Sequence, residues 1–279
     1  MSSRRGEGAA ADEAPLTAGI QSRYTASSDI EATSSSIETT SSQLNVFYKL
    51  KAFGELPVDL SLDVGHTEIR EDDPLDLPSR LGSRRLGIST KFPAPFISDD
   101  RFFMGADIFP TLNTDGWEWI SGAFRIPFRG YLIFKESDDF ILVGGVSVRP
   151  EYENKFLPVI GLIYKPNDHW SFNFASDDPN ISYQWDDATR LRWEINCTLE
   201  EYEVTRGAQE GVVLQSREIA SGFGVEHQFT RAVSGLVSVG GVFDRQLKYR
   251  DGTGPPAGGA GKVASEAGVY VRANLTAAF

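Results

Sequence analysis

The chain has 279 residues, of which 41% are apolar and 11% aromatic, so it can bury a core as one large β domain or as two average domains. Its formal net charge of −12 argues against a nucleic-acid partner, because phosphate binding needs clustered Lys and Arg, and the basic residues here are scattered. Cys197 is the single cysteine, which excludes an internal disulfide framework and a thiolate zinc cluster.

Residues 1–15 are rich in Gly, Ala, Ser and charged residues, a composition that predicts a disordered N-terminal tail. The apolar segment of a signal peptide is not visible in this stretch. The chain contains no run of about 18 apolar residues, so the sequence predicts no transmembrane helix. Residues 16–279 show almost no helical periodicity, and we expect them to form a single β domain.

From residue 16 onwards, apolar and polar residues alternate in short segments that are separated by turn-forming sequence. The clearest alternating segments are residues 57–66, 189–200, 218–229 and 267–279. A period of two is typical of strands with one apolar and one polar face. Short turns alternate with long polar links along much of the chain. This alternation predicts an antiparallel, up-and-down order of about 12 strands, with a range of 10–14.

Alternation alone fits two architectures with opposite polarity. In a soluble sandwich or barrel the apolar side chains face a core, whereas in a membrane barrel they face lipid and the polar ones face the lumen. The alternation of short and long connections favours the membrane barrel. Aromatic residues near the predicted strand ends favour it too, because girdles of this kind lie at membrane interfaces: Tyr48, Phe92, Phe102, Trp117, Trp119, Trp170, Tyr183, Trp185, Phe229 and Tyr249.

The last alternating segment, AGVYVRANLTAAF, resembles the C-terminal signature of Gram-negative outer-membrane β-barrel proteins. The residues that match this signature are Val271, Ala273, Leu275 and the terminal aromatic Phe279, whereas Ala277 is smaller than the signature expects. Residues 156–186 also resemble part of a poorly characterised group of such barrels with no assigned activity. The resemblance implies a bacterial outer-membrane location, a lipid bilayer as the surroundings and recognition of the last strand by the barrel-assembly machinery.

A transmembrane β-barrel must close on itself, because lipid leaves no partner for an unpaired backbone N–H or C=O. We therefore expect the last strand to pair with the first, near TAGIQSRYT. The polar positions of the alternating segments are then predicted to face the lumen. The charged candidates at these positions carry both signs: Asp59, Asp63, Arg190, Arg192, Glu194, Glu226 and Arg272.

Residues with catalytic or metal-binding chemistry do not form a recognisable motif. The three histidines lack metal-ligand spacing and sit at or near strand ends or turns: His66, His169 and His227. The segment REDDPLD offers oxygen ligands but lacks the spacing of a calcium loop: Glu71, Asp72, Asp73 and Asp76. The sequence therefore predicts no catalytic residue, no metal site and no cofactor.

The leading functional prediction is a porin-like channel for small polar solutes or a structural outer-membrane protein, because a barrel of this size is wide enough for a water-filled passage. One alternative is a soluble β-sandwich or barrel that binds a ligand or glycan, with Trp residues stacking on sugars. A further alternative is a barrel enzyme that acts on lipid. The sequence carries no indication of the solute or of the oligomeric state.

Overall fold

The structure is a computed structural model that describes residues 15–31, 35–52, 56–72, 77–116, 121–176, 178–206, 209–250 and 262–279. The predicted tail at residues 1–15 lies outside the described residues except for Pro15. The strands are β1 (Leu16–Asp29), β2 (Ser36–Ala52), β3 (Leu56–Glu71), β4 (Arg80–Pro93), β5 (Phe102–Ile108), β6 (Thr111–Thr114), β7 (Phe124–Arg125), β8 (Phe128–Ser137), β9 (Phe140–Val148), β10 (Phe156–Tyr164), β11 (Trp170–Asn173), β12 (Asn180–Gln184), β13 (Thr189–Arg206), β14 (Gln209–Gln228), β15 (Val233–Tyr249), β16 (Lys262–Ser265) and β17 (Gly268–Ala278).

These segments form a closed antiparallel barrel of 14 strands in up-and-down order. Three strands of the wall are interrupted and count as two segments each, namely β5 with β6, β7 with β8, and β16 with β17. Pro110 and Pro127 lie at the first two interruptions and have no N–H to donate. Their carbonyl groups still accept hydrogen bonds from the neighbouring strand, so the wall continues across both breaks. The expected count of about 12 strands was too low, and 14 is the upper end of the predicted range.

The barrel closes where the first and last strands meet, as predicted. β1 pairs with β17 from Thr17 opposite Ala278 to Thr25 opposite Tyr270. The N–H of Phe279 donates to the carbonyl of Leu16 at 2.8 Å. We call this end of the barrel the near end and the opposite end, where β1 finishes at Asp29, the far end.

Over the near and middle parts of the barrel, the apolar side chains face outward. Leu62, Val237 and Leu275 are exposed on the outer surface, whereas polar and charged residues at the intervening positions contact one another inside the barrel. This arrangement is the inverse of a soluble barrel with an apolar core. The apolar core that the soluble alternative predicts is therefore not found among the described residues in this part of the molecule.

At the far end the interior is apolar instead. Side chains from strands on both sides of the barrel pack into one buried cluster, which we call the far-end core: Ile30, Ile37, Ile69, Leu81, Val204, Val212, Leu214, Leu247, Tyr249 and Val263. The predicted assignment of Tyr249 to an aromatic girdle is wrong, because its ring is 3% exposed within this core.

A cross-connection between distant strands encloses the far-end core. Thr114 of β6 is paired with Gly82 of β4 on one side and with Glu203 of β13 on the other. The N–H of Thr205 also donates to Asp115 Oδ2 at 2.8 Å. At this level the wall is a smaller ring made of β13, β14, β15, β16, β1, β2, β3, β4 and β6.

β11 and β12 are the short part of the wall, with four and five residues. β10 pairs with β9 along its whole length but with β11 only at Ile163 and Tyr164. Pro158 lies in the half of β10 that β11 does not reach, and proline is tolerated at such an edge because no ladder hydrogen bond is lost. Within the described residues, no helix is long and apolar enough to cross a membrane.

Candidate functional site

The charged side chains inside the barrel form two groups on opposite walls. The major cluster consists of Arg23, Asp178, Arg190, Arg192, Glu194, Glu218, Glu226, Arg245 and Arg272. The minor cluster consists of Asp63, Arg85, Asp107 and Arg129. Oppositely charged members lie within ion-pair distance of one another in each cluster, as expected for charges that are partly removed from water.

Glu194 is the centre of the major cluster and is completely buried. It accepts hydrogen bonds from Ser238 Oγ and Tyr270 Oη, both at 2.9 Å, and from the guanidinium of Arg272. Tyr270 reaches Glu194 from three strands away, because two glycines, Gly222 and Gly240, lie between them in the same row.

A side chain at either glycine would collide with the Tyr270 ring. A Cβ on Gly240 would lie 2.7 Å from a ring carbon of Tyr270, and a Cβ on Gly222 would overlap the Tyr270 hydroxyl and lie 2.7 Å from the Val239 carbonyl. The two glycines therefore provide the groove in which the tyrosine lies flat against the inner wall. This groove positions the phenol on the buried carboxylate.

The major cluster extends from Glu194 to the turn between β11 and β12. Arg192 Nη2 lies 2.5 Å from Asp178 Oδ2, and Arg272 Nη1 lies 3.8 Å from Asp178 Oδ1. Glu226 lies 3.7 Å from Arg190 and 3.9 Å from Arg192. The contacts join the turn between β11 and β12 to β13, β14 and β17 through the interior of the barrel.

A second carboxylate in the major cluster, Glu218, is partly buried and is held by two arginines. Arg23 Nη1 lies 2.5 Å and Arg245 Nη2 lies 2.7 Å from its oxygens. A bulge in β15 positions Arg245: Ile219 is opposite Asp244 but Ala220 is opposite Val242, so Phe243 is an extra residue. The extra residue reverses the alternation, and Arg245 points inward where the uninterrupted pattern predicts Asp244.

The minor cluster repeats part of this design. Asp107 is buried and accepts from Arg129 Nε at 2.9 Å and Tyr131 Oη at 3.1 Å. A Cβ on Gly105 would lie 2.6 Å from the Tyr131 hydroxyl, so this tyrosine also lies over a glycine. Nearby, Asp63 pairs with Arg85 Nε at 3.0 Å and accepts a hydrogen bond from the amide of an asparagine, Asn45.

Of the seven predicted lumen residues, five meet in the major cluster: Arg190, Arg192, Glu194, Glu226 and Arg272. Asp63 belongs to the minor cluster, and Asp59 lies half-buried four residues before it on the same strand. Sequence reasoning missed Arg23 and Glu218, although Glu218 shares the alternation of the predicted Glu226. It missed Arg245 because the bulge in β15 changes which residues face inward. It missed Asp178 because this residue lies in a turn and not in an alternating strand.

On the far-end side of the two clusters, the loop between β9 and β10 is bound to the outer face of β13. Tyr152 is buried between two guanidinium groups, with Arg149 3.9 Å and Arg125 4.7 Å from its ring centroid. The N–H of Glu153 donates to Glu201 Oε1 at 2.8 Å, and Arg149 Nη2 donates to the Leu199 carbonyl at 2.8 Å. Burial raises the pKa of the Tyr152 phenol. This contact covers polar backbone groups on the free edge of β13.

Most of the predicted girdle aromatics lie at the near end of the barrel. They are Tyr48, Phe92, Phe102, Trp170, Tyr183, Trp185 and Phe229. Trp170 contacts Tyr183 edge-on, with ring centroids 5.0 Å apart, and stacks with Phe172 at 6.2 Å. Trp117 and Trp119 lie outside the described residues.

The three histidines lie on separate elements. His66 is half-exposed in β3, His169 lies 3.0 Å from the Gln184 carbonyl, and His227 lies 3.2 Å from the Thr189 hydroxyl. The described residues hold no group of three or more His, Cys, Asp or Glu placed for a metal ion. Asp72 accepts a hydrogen bond from Ser36, and Asp73 and Asp76 lie outside the described residues.

The residues of the C-terminal signature lie on the outer face of β17. Val271, Ala273 and Leu275 are opposite Tyr24, Ser22 and Ile20 of β1. The side chains of all four signature residues are exposed: Val271, Ala273, Leu275 and Phe279. The structure thus places the signature at the seam of the barrel.

Comparison with known proteins agrees with this architecture. No family model matches the sequence, and no curated protein matches it. The fold is similar to the crystal structure of an outer membrane channel from Pseudomonas putida F1, with a TM-score of 0.50, 10% identity, and coverage of 95% of this chain and 96% of that chain. A FadL homologue of Pseudomonas aeruginosa has a TM-score of 0.46, 10% identity, and coverage of 99% and 93%. The first similarity supports the fold of a closed antiparallel β-barrel.

Proposed function

We propose that this protein is an outer-membrane β-barrel channel through which small polar solutes pass. The observation that carries the proposal is the polarity of the wall, with apolar side chains outside and paired charges inside over the near and middle parts of the barrel. An apolar belt with a polar interior is stable in lipid and unfavourable in water. The aromatic residues at the near end support a membrane interface at that level.

The direction of insertion follows from the connections. The near end holds the start of β1, the end of β17 and mostly short turns, as between β8 and β9, whereas most of the longer connections lie at the far end. Outer-membrane barrels have short periplasmic turns and longer external loops. We therefore assign the near end to the periplasm and the far end to the cell exterior. The exposed signature on β17 supports a role in recognition by the barrel-assembly machinery.

Planar-bilayer recording tests the channel directly. The full chain, refolded in detergent and shown to be folded by heat-modifiable migration on a gel, is added to a bilayer in potassium chloride. The proposal predicts discrete conductance steps. Protein that migrates as a folded barrel but gives no conductance would contradict the channel and leave the fold unaffected.

The far-end core favours a second candidate, a structural outer-membrane protein. Among the described residues the interior at this end is apolar, with Ile37, Val212 and Leu214 each fully buried, which disfavours an aqueous path through the smaller ring. A protein that only anchors or braces the membrane needs no such path. The bilayer recording separates the two candidates, because only the channel produces steps.

A further inference from the structure

The turn between β11 and β12 lies inside the barrel. We refer to its described residues, 174–176 and 178–179, as the inward turn. Gly161 of β10 faces the interior, since it is opposite Val143 and its neighbour Ile160 is 82% exposed on the outer surface. A Cβ on Gly161 would lie 2.6 Å from the Cα of Ala175. The backbone at Ala175 therefore crosses the inner face of β10 at a point where only glycine leaves enough space.

The other side of the inward turn is bound to the major cluster. Asp178 Oδ2 contacts Arg192 of β13 at 2.5 Å, and Asp178 Oδ1 faces Arg272 of β17 at 3.8 Å. Asp178 Oδ1 is buried and has no hydrogen-bond partner among the described residues. Since β13, β14 and β15 separate β12 from β17 in the wall, the contact with Arg272 spans the interior.

Two unrelated observations thus agree on the position of this turn. The glycine contact holds Ala175 against β10, and the ion pairs hold Asp178 toward β17. The short lengths of β11 and β12 follow from this position, because the chain leaves the wall after Asn173 and returns to it at Asn180.

We propose that the inward turn is the constriction of the channel and that Asp178 sets its preference between anions and cations. This inference depends on the proposed channel function. Asp178 is the carboxylate of the major cluster that lies on a turn rather than on the wall. When the charge of Asp178 is removed, Arg192 still has an ion-pair partner in Glu226 at 3.9 Å, and Arg272 still has one in Glu194. The net charge of the major cluster, however, becomes more positive by one unit. Rings and clusters of charge determine selectivity in pores.

The test is the reversal potential of single channels in a potassium chloride gradient, for wild type and for Asp178→Asn. We expect the anion-to-cation permeability ratio to rise about 25-fold, because one unit charge about 4 Å away in water changes the stability of each ion about fivefold and in opposite directions for anions and cations. Asp186→Asn is the matched control, because Asp186 lies in the next turn at the near end and accepts from the N–H groups of Ala188 and Thr189. We expect its reversal potential to equal that of wild type.

A second variant tests the position of the turn without a change in charge. Gly161→Ala pushes Ala175 off the inner face of β10 toward the barrel axis, so the conductance falls while the reversal potential is retained. Gly144→Ala is its control, because a Cβ at Gly144 of the neighbouring strand meets nothing within 4 Å. A wild type that conducts, with Asp178→Asn and Gly161→Ala both indistinguishable from it, would overturn the inference. A folded wild type without conductance would instead contradict the proposed function.

Discussion

Two stretches of β2 show opposite polarity on the same strand. At the far end, Ile37 is buried inside and the neighbouring Glu38 lies outside, where it pairs with Arg70 at 3.4 Å. Six residues farther along the same outer face, Leu44 is exposed and its neighbour Asn45 points inward to Asp63. The first stretch presents a charged side chain on the outer face, as suits water, and the second presents an apolar one, as suits the lipid surroundings proposed above.

If the barrel spans a membrane as proposed, the change of polarity marks the membrane boundary within the strands. It also explains why both sequence interpretations contain something correct: the inverted pattern holds in the middle of the barrel, and an apolar core surrounded by polar groups holds at the far end. Long strands such as β13 and β14 continue across the boundary and carry both patterns. The variants below test each side of this boundary in turn.

The largest effect is expected from Glu194→Ala, which breaks the polar interior. Arg272 is nearly fully buried and would lose its main carboxylate, and breaking a buried pair in this way costs about 3–5 kcal/mol. The free energy of unfolding is measured by urea titration of the protein in lipid vesicles, followed by Trp fluorescence. Glu38→Ala removes an exposed pair and should change this free energy by at most about 1 kcal/mol. Equal effects of the two variants would contradict the buried network.

Leu214→Ala should break the far-end core. Leu214 is completely buried, and removing such a side chain leaves a cavity that costs about 2–5 kcal/mol. Hydrogen exchange should show the loss of protection in the far-end halves of β14 and β15, with the near-end halves retained. Val237→Ala, on the outer surface, creates no cavity and serves as the control. A uniform loss along both strands would argue against a separate far-end core.

Gly222→Ala tests whether Tyr270 lies in the glycine groove of the polar interior. The new methyl group would overlap the Tyr270 hydroxyl, and overpacking of this kind costs about 1–3 kcal/mol. The same unfolding titration detects the cost. Gly144→Ala adds a methyl group in open space and should be nearly neutral. If both substitutions are neutral, Tyr270 does not lie in the glycine groove.

The two tyrosines provide the smallest effect. Tyr270→Phe and Tyr131→Phe each remove one hydrogen bond to a buried carboxylate, and each should cost about 1 kcal/mol. Because the tyrosines lie on opposite walls without shared partners, the costs should add within about 0.5 kcal/mol in the double variant. A strong departure from additivity in the unfolding titration would show that the two clusters are coupled.

Periodicity predicted the strands well because one buried face per strand fixes the alternation of side chains. It predicted the closure of β1 on β17. Five of the residues that it assigned to the lumen contact one another in the major cluster. It undercounted the strands, because about 12 were expected and 14 form the wall. It missed Arg245 because one extra residue at Phe243 reverses the alternation. Contacts across the barrel, such as that of Asp178 with Arg272, depend on closure and leave no local pattern.

The most direct test of the polarity boundary uses nitroxide labels on one face of β2. In a Cys197→Ser background, Glu38→Cys and Leu44→Cys are labelled and the protein is reconstituted in vesicles with a water-soluble nickel chelate on both sides. The two positions are about 20 Å apart along the strand. We predict that the nickel chelate relaxes the label at residue 38 strongly, whereas molecular oxygen, which concentrates in lipid, relaxes the label at residue 44. Equal access of the nickel chelate to both labels would contradict the account.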